Sequence, residues 1–391
     1  MTTPRDAERE QILDVVRKFV ERDVLPVVTE LESTDTYPQA LFDQMAKLGL
    51  FALTLPEEYG GLDAGYETVS RVLMELSQGW MTLSGVLTAQ FTVASMILRF
   101  GTTEQKNRLL PSMAAGELKA CFSITEPGTG SDIQAITTRA RKEGDDYLIN
   151  GQKIWATHAL NAGLLMALVV TDPEQSPRHK GITAMLIEKQ PGATHLPGLE
   201  IRNQKKLGYK GMESSEIFFD DMRIPASSVL GGDAGLGVGF KYTMGGLDSG
   251  RLSVSSSAIG IALGGLKRAL AYSQQRKTFG QPICQHQAIQ LKLAQMATKI
   301  EAAKALTLQG ARKMDNGERA DLDMAMAKLF ATEMAMEVTI DSMRIHGGFG
   351  YSPEFMVERF FREVPVLILG EGSNEILQIL IARKLVENSP A

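Results

Sequence analysis

Apolar side chains recur at helical spacing from the start of the chain. Ile12, Val15, Val16, Phe19, Val20, Val24, Leu25 and Val28 mark one face of a helix over residues 6–33, with Pro26 placed to kink or split it. Tyr37-Pro38 opens a second helix carrying Leu41, Phe42, Met45 and Leu48, and Pro56-Glu-Glu-Tyr-Gly-Gly-Leu62 reads as a turn-rich loop. Helices follow over about 66–77 and 83–99, and Thr102 with Gln105 has the spacing of a capping box that starts another. Near residue 119 the period falls to two. Segments 121–125, 136–140, 147–155, 164–170, 182–188 and 216–224 read as strands separated by Gly, Pro, Asn and Asp clusters, and Asn150-Gly151 reads as a short turn. No helix alternates with these strands, so an antiparallel barrel or sandwich is expected. From Gly239 the helical period returns: 240–275, interrupted at Gly245-Gly246 and Gly264-Gly265, then 286–316, 322–346 and 376–386. The pattern predicts an α+β chain of three parts. These are an N-terminal all-helical domain (1–118), a middle β domain (119–232) and a C-terminal helical-bundle domain (233–391).

Composition narrows the classes. With 391 residues, 44% of them hydrophobic, the chain can bury a large core. A net charge of −5 with both signs interspersed makes no case for nucleic acid or an anionic membrane as partner. The polar, mixed-charge N-terminus looks like neither a secretory signal nor a transit peptide. Cys121 and Cys284 are the only cysteines and five histidines are scattered, which excludes a disulfide framework and gives no metal-ligand spacing. A cytoplasmic, metal-free enzyme is the expectation.

Several stretches are candidates for chemistry, and each also has an ordinary reading. Phe122-Ser-Ile-Thr-Glu-Pro-Gly-Thr-Gly-Ser-Asp132 is a strand running into a hydroxyl-rich loop, able to hold a ring edge or a pyrophosphate, or simply a glycine-rich turn. Trp155 and Thr157 follow on a strand, where a lone Trp is usually core. Arg276-Lys-Thr-Phe-Gly280 ends a helix, where Arg276 suits either the helix dipole or a phosphate. Arg344-Ile-His-Gly-Gly-Phe-Gly-Tyr351 reads as a C-cap with an aromatic staple. Gly235-Leu-Gly-Val-Gly239 lacks the context of a dinucleotide fingerprint. His158 and His286 suit structural hydrogen bonds. In Leu369-Gly-Glu-Gly-Ser-Asn-Glu-Ile376 an apolar run delivers Glu371 between glycines into a turn ahead of a helix. That carboxylate is either a turn residue or a general base whose pKa a dry setting raises.

Taken in order, the hydroxyl loop, the Trp-x-Thr strand, Arg-Lys-Thr-Phe-Gly, His-Gly-Gly-Phe-Gly-Tyr and Glu-Gly-Ser-Asn-Glu resemble the acyl-CoA dehydrogenase family of flavoproteins over essentially the full length. The stretch Glu371 to Arg383 is closest to short- and branched-chain, isobutyryl-CoA-like members. The resemblance implies an N-terminal helical domain, a middle β-barrel-like domain, a C-terminal four-helix bundle and a homotetramer. It implies FAD, with Phe122, Ile124, Thr125, Gly130, Ser131, Trp155 and Thr157 along the isoalloxazine and ribityl chain. Arg276, Phe279 and Gln287, with Arg344, Gly347 and Gly348, would meet the diphosphate and adenosine from a neighbouring subunit, and Ser373 and Glu375 would complete the pocket. Asp248 and Arg251 would hold the CoA pantetheine, with Leu247 on the acyl side and Ser131, Gly370 and Gly372 also lining the substrate. Glu371 falls on the catalytic base, which takes the α-proton of an acyl-CoA while the β-hydrogen leaves as hydride to flavin N5. Some members carry the base at the position of Gly250, where this chain has no side chain. Gly370, where many relatives are bulky, leaves room for a branched acyl group. The implied product is a trans-2-enoyl-CoA, in fatty-acid or branched-chain amino-acid catabolism, and the implied acceptor is electron-transfer flavoprotein. The alternatives are the same chemistry on a carrier-protein thioester, a flavin oxidase or desulfinase-like relative, and a non-catalytic scaffold.

Overall fold

A computed structural model describes residues 4–389. The N-terminal part is helical: α1 (Pro4–Phe19), α2 (Val28–Ser33), α3 (Gln39–Lys47), α4 (Tyr66–Gly79), α5 (Met81–Phe100) and α6 (Thr103–Ala114). Pro26 lies in the break after a π-helical turn, Val20–Val24, and splits the first helical segment as its missing N–H requires. The capping box is present at α6: Thr102 Oγ1 accepts from Gln105 N, and Gln105 Oε1 accepts from Thr102 N. Gln105 is buried and reaches further. Its Nε2 donates to the carbonyls of Ser227 (3.0 Å) and Val229 (2.7 Å), and its Oε1 also accepts from Gly231 N. One side chain thus starts a helix and ties it to the segment leaving the sheet. α5 is long and apolar enough to cross a membrane, but 72% of that span is buried inside the fold, so its apolar surface is core.

The middle part is one eight-stranded sheet of β1 (Ala120–Ser123), β2 (Arg139–Glu143), β3 (Asp146–Thr157), β4 (Leu164–Val170), β5 (Ile182–Glu188), β6 (His195–Leu196), β7 (Leu199–Asn203) and β8 (Ser214–Pro225). Strand order is β1-β4-β2-β3-β8-β7-β6, with β5 paired to β4. The sheet is mixed, not antiparallel throughout. β1 runs parallel to β4 (Ala120 opposite Leu164), and β2 meets β4 in parallel at Arg139 and Val170. The loop and the β2–β3 hairpin between β1 and β4 give the chain the length a parallel return needs without a crossover helix. Asn150-Gly151 is a bulge within β3, not a turn; the hairpin turns at Gly144-Asp145 instead. Strand β2 begins at Arg139, three residues later than its apolar pattern suggests, and the short β6 and β7 carry too little pattern to be foreseen.

The C-terminal part contains α7 (Gly239–Gln275), a short hairpin of β9 (Lys277–Thr278) and β10 (Gln281–Pro282), then α8 (Gln287–Asp315), α9 (Asp321–His346), α10 (Val357–Leu369) and α11 (Asn374–Glu387). α10 packs on α7 and α9, and α11 on α9. The 37 residues of α7 are uninterrupted, contrary to the breaks expected at its glycine pairs. Those glycines are contact surfaces: a Cβ at Gly246 would lie 3.1 Å from the Met96 side chain of α5, and one at Gly264 would lie 2.8 Å from the Phe360 ring. An interior glycine costs about 1 kcal/mol against alanine, and the close approach it permits is the compensation. The apolar run before Glu371 is itself the end of α10, which holds Pro365 within it.

Gln105→Leu should destabilise the protein more than Thr102→Ala. The cap is worth about 1 kcal/mol, whereas the leucine removes at once the amide's bonds to Thr102 N, Gly231 N, Ser227 O and Val229 O, at about 1 kcal/mol each. Denaturant midpoints of the two variants, compared at equal m-value, check the order.

Candidate active site

Three groups of residues emerge. The first lies along β1 and β3. Ile154 N donates to Thr125 O (2.8 Å), joining the hydroxyl loop to β3. Beneath it Lys153, fully buried, donates to Ile124 O (3.0 Å) and Glu126 Oε1 (2.8 Å). Glu126 also accepts from Thr137 N (2.6 Å), Thr137 Oγ1 (2.7 Å) and Thr138 N (3.0 Å). This buried pair fixes the base of the loop and leaves Gly130 and Ser131 exposed, with Phe122, Ile124 and Thr125 half-buried. The register of β3 against β8 slips between Lys153 and Ala156. At that bulge Trp155 takes a left-handed φ of 56° and stands 55% exposed, so it is not the core residue a lone Trp usually is. Thr157 follows, half-buried. His158 is structural: its Nε2 meets the Tyr37 hydroxyl at 2.7 Å in the core. An exposed indole beside small residues and hydroxyls on a rigid strand is a platform for a flat polar ring.

The second group faces a cavity of about 680 Å³ between α7, α8 and α9. Arg276, Gly347 and Gly348 line it, with Thr278, His286 and Phe349. Phe279 stands 96% exposed at φ 52° next to it, edge-on to His286 at 6.0 Å. Gln287 opens α8 and is exposed, and Arg344 is exposed and pairs with Asp341 at 3.5 Å; neither lines the cavity. His286 is held by Thr278 Oγ1 at 3.0 Å, the structural role expected of it.

The third group surrounds Glu371. The turn from α10 to α11 places Glu371 at φ 54° and Gly372 at φ 85°. A left-handed conformation at a non-glycine residue costs about 1–3 kcal/mol and persists where the surroundings impose it. The carboxylate lies against the backbone of α7: a Cβ on Gly250 would be 2.4 Å from Glu371 Oε2. The lack of a side chain at 250 is what lets the carboxylate sit there. Burial pushes the Glu371 carboxyl up from its ordinary value, opposed by the charges of Arg251 and Lys328. Arg251 is buried and donates to Asp248 Oδ1 (3.1 Å), whose own carboxyl is raised by burial; Leu247 is buried just before it. A Cβ at Gly370 would meet only the Val366 carbonyl, at 3.1 Å. Ser373 occupies the N-cap of α11 without a capping bond from its side chain, and Glu375 is exposed. Lys328 of α9, which the sequence reading passed over, donates to Ile368 O, Gly372 O and Asn374 Oδ1 around this turn. Its signal was present: one lysine in the apolar run Met324-Ala-Met-Ala-Lys-Leu-Phe-Ala331.

Similarity to known proteins covers nearly the whole chain. Residues 6–117, 121–222 and 237–386 match the N-terminal, middle and C-terminal domains of acyl-CoA dehydrogenase. The chain is 36% identical to the 3-(aryl)acrylate reductase of Clostridium sporogenes, over 97% of this chain and 99% of that protein. It is also 36% identical to the mitochondrial short-chain specific acyl-CoA dehydrogenase of Bos taurus, over 95% of this chain and 88% of that protein. The structure of butyryl-CoA dehydrogenase from Megasphaera elsdenii superposes with a TM-score of 0.92 at 33% identity, covering 98% of both chains.

The loop anchor has a pH signature. Burial works to raise the Glu126 carboxyl, but Lys153 and three further donors hold it down to about 2, while burial pushes Lys153 itself down to about 8. The carboxylate sets the direction, since it accepts four hydrogen bonds in place. Its contribution to stability is present above the ordinary carboxylate range and is lost as pH falls from about 4.5 toward about 2. Glu126→Gln should flatten the stability–pH curve over that window. Lys153→Met, which strands a buried carboxylate, should cost about 3–5 kcal/mol at neutral pH. Denaturant unfolding from pH 2 to 8 reads both.

Proposed function

The chain belongs to the acyl-CoA dehydrogenase family, and from that premise we propose that it desaturates a short or branched acyl-CoA between Cα and Cβ with Glu371 as the base. The observation that carries this is the Glu371 carboxylate itself: desolvated, raised in pKa, and held on a left-handed turn against the bare backbone of Gly250. A base with those properties is matched to a weakly acidic carbon acid.

FAD fits the remaining features. The exposed Trp155 and the Thr125–Ser131 loop offer an aromatic face and polar contacts for a ring, and Arg276 with the glycines at 347 and 348 offers a cation and open backbone for a diphosphate. When bound, FAD supplies the hydride acceptor that no side chain of this chain provides. The protein's own part is binding and proton transfer. Asp248 and Arg251 are assigned to the CoA arm, Leu247 and the open space at Gly370 to the acyl group. Glu371 receives the α-proton on its carboxylate. Electron-transfer flavoprotein is the acceptor proposed for the reduced enzyme, and a homotetramer the assembly. Because the similar Clostridium sporogenes protein is named a reductase, the 2-enoyl thioester belongs in the same assays as the saturated one.

Anaerobic titration of the FAD-loaded protein with butyryl-, isobutyryl-, 2-methylbutyryl-, isovaleryl- and octanoyl-CoA tests the reading, bleaching of the flavin band by one or two of them being the expected result. A yellow protein bleached by none, and inert toward enoyl-CoAs, would overturn it. Glu371→Gln should keep FAD and substrate binding while slowing reduction about 10²–10⁴-fold. Since the base must be ionised, the wild-type rate should fall as pH drops through its raised pKa. Gly250→Ala should leave the fold intact, because a flexible carboxylate rather than backbone meets the new methyl. Reduction should slow about 10²-fold as the base is displaced. Gly370→Tyr should damage turnover of branched substrates more than straight ones, read as a ratio of kcat/KM values.

A further inference from the structure

Lys328 is fully buried, yet among the described residues no carboxylate accepts from it. Its three N–H groups go to Ile368 O (3.0 Å), Gly372 O (2.9 Å) and Asn374 Oδ1 (2.9 Å). An ammonium costs several kcal/mol to bury even when satisfied, and a Leu or Met at this position of α9 would pack without that cost. The acceptors give the reason for its presence. Ile368 is in the last turn of α10, Gly372 directly follows Glu371, and Asn374 begins α11. The ammonium therefore bridges both flanks of the turn that carries the carboxylate, and it does so at the negative end of the α10 dipole. Asn374 is itself fixed from α9: its Nδ2 donates to Thr332 Oγ1 (3.0 Å) and Glu333 Oε1 (2.7 Å). One face of α9 thus holds the exit of one helix and the entrance of the next, and Glu371 is strung between them at φ 54°.

We infer that Lys328 is a positioning residue for Glu371, its ammonium clamping both flanks of the turn so that the carboxylate is presented beside Gly250. The inference rests on reading Glu371 as the base. The clamp also brings charge. Glu371 is faced by Arg251 from α7 and Lys328 from α9; Lys328 is faced by Glu371, Glu333 and Glu375, and by Arg251 with like sign. Burial pushes Lys328 down to about 8, opposed first by Glu371, so it is cationic at neutral pH and favours the ionised form of the base.

The decisive variant is Lys328→Met, close in volume and uncharged. Reduction of the FAD-loaded enzyme by the best acyl-CoA should slow about 10- to 100-fold, the cost of a misplaced reacting group. The substrate Kd should stay within about threefold. Loss of the cation should also move the acid limb of the rate–pH profile upward by about one unit or more. A change that merely loosened the fold would lower the amount of active enzyme without moving that limb. An unmoved limb with a rate within twofold of wild type would overturn the inference.

Should Lys328→Met fail to fold, Asn374→Ala keeps the charge and removes one anchor. It should slow reduction with the acid limb in place, and a wild-type rate would again overturn the clamp. Amide exchange of residues 369–378 reads the clamp without any chemistry. The hydrogen-bonded amides of Gly370 and Leu377 should exchange at least about tenfold faster in either variant. Equal exchange in variant and wild type refutes the clamp even if the enzyme is active. A wild-type protein that no acyl-CoA or enoyl-CoA reduces or reoxidises refutes the dehydrogenase reading, and the exchange result still decides the clamp.

Discussion

An ammonium group in an apolar interior is tolerated only when oxygens are gathered around it, and this constraint organises both halves of the candidate site. Lys153 and Lys328 are both fully buried, on different elements, and both spend hydrogen bonds on backbone carbonyls of a loop. Lys153 holds the carbonyl of Ile124 at the mouth of the hydroxyl loop, and Lys328 holds the carbonyls on either side of Glu371. Carbonyls at loop and helix ends lack the partners that regular structure would give them. The lysines supply those partners from below, and the loops' upper surfaces stay free for a ligand. Shape and electrostatics follow from one arrangement, because the group that satisfies the backbone also brings a positive charge toward the carboxylate.

The long helix α7 supplies the floor against which this arrangement is registered. Its buried faces are rich in glycine and serine, and its hydroxyls fold back on their own helix: Ser253 donates to Ser249 O, Ser255 to Arg251 O and Ser256 to Leu252 O. Serines satisfied in this way occupy little space, so α4 and α5 approach closely and bond across, as between Ser70 and Ser256 (2.7 Å) and between Ser257 and Ser84 (2.9 Å). A helix packed on this many sides has little freedom to slide. Gly250 therefore stands at a defined place relative to the turn that α9 holds from the other direction.

The sequence disclosed what local chemistry determines. The capping box at Thr102, the split at Pro26, the strands 164–170 and 182–188 and the order of the motifs were all legible, because each depends on a few neighbouring residues. Non-local geometry was not. The parallel pairing of β1 with β4 depends on what the intervening forty residues do. Asn150-Gly151 satisfies the rule for a turn, yet across from Phe219 and Asp221 it becomes a bulge, with Asn150 bonding to Asp221. Glycine pairs in α7 read as breaks because a contact surface and a helix breaker leave the same mark in one sequence. The turn at Glu371 was legible from its glycine neighbours, but its left-handed backbone, its contact with Gly250 and its support from Lys328 were not, since each belongs to the meeting of four helices.

That meeting limits how this site can change over generations. The volume that a side chain at 250 would need is already taken by the Glu371 carboxylate, 2.4 Å from where the first added carbon would lie. A side chain at 250 therefore displaces a flexible carboxylate, not backbone, from its place on α7. Any lineage that gains a side chain at 250 shifts Glu371 in the same step, so the two positions are bound to change together.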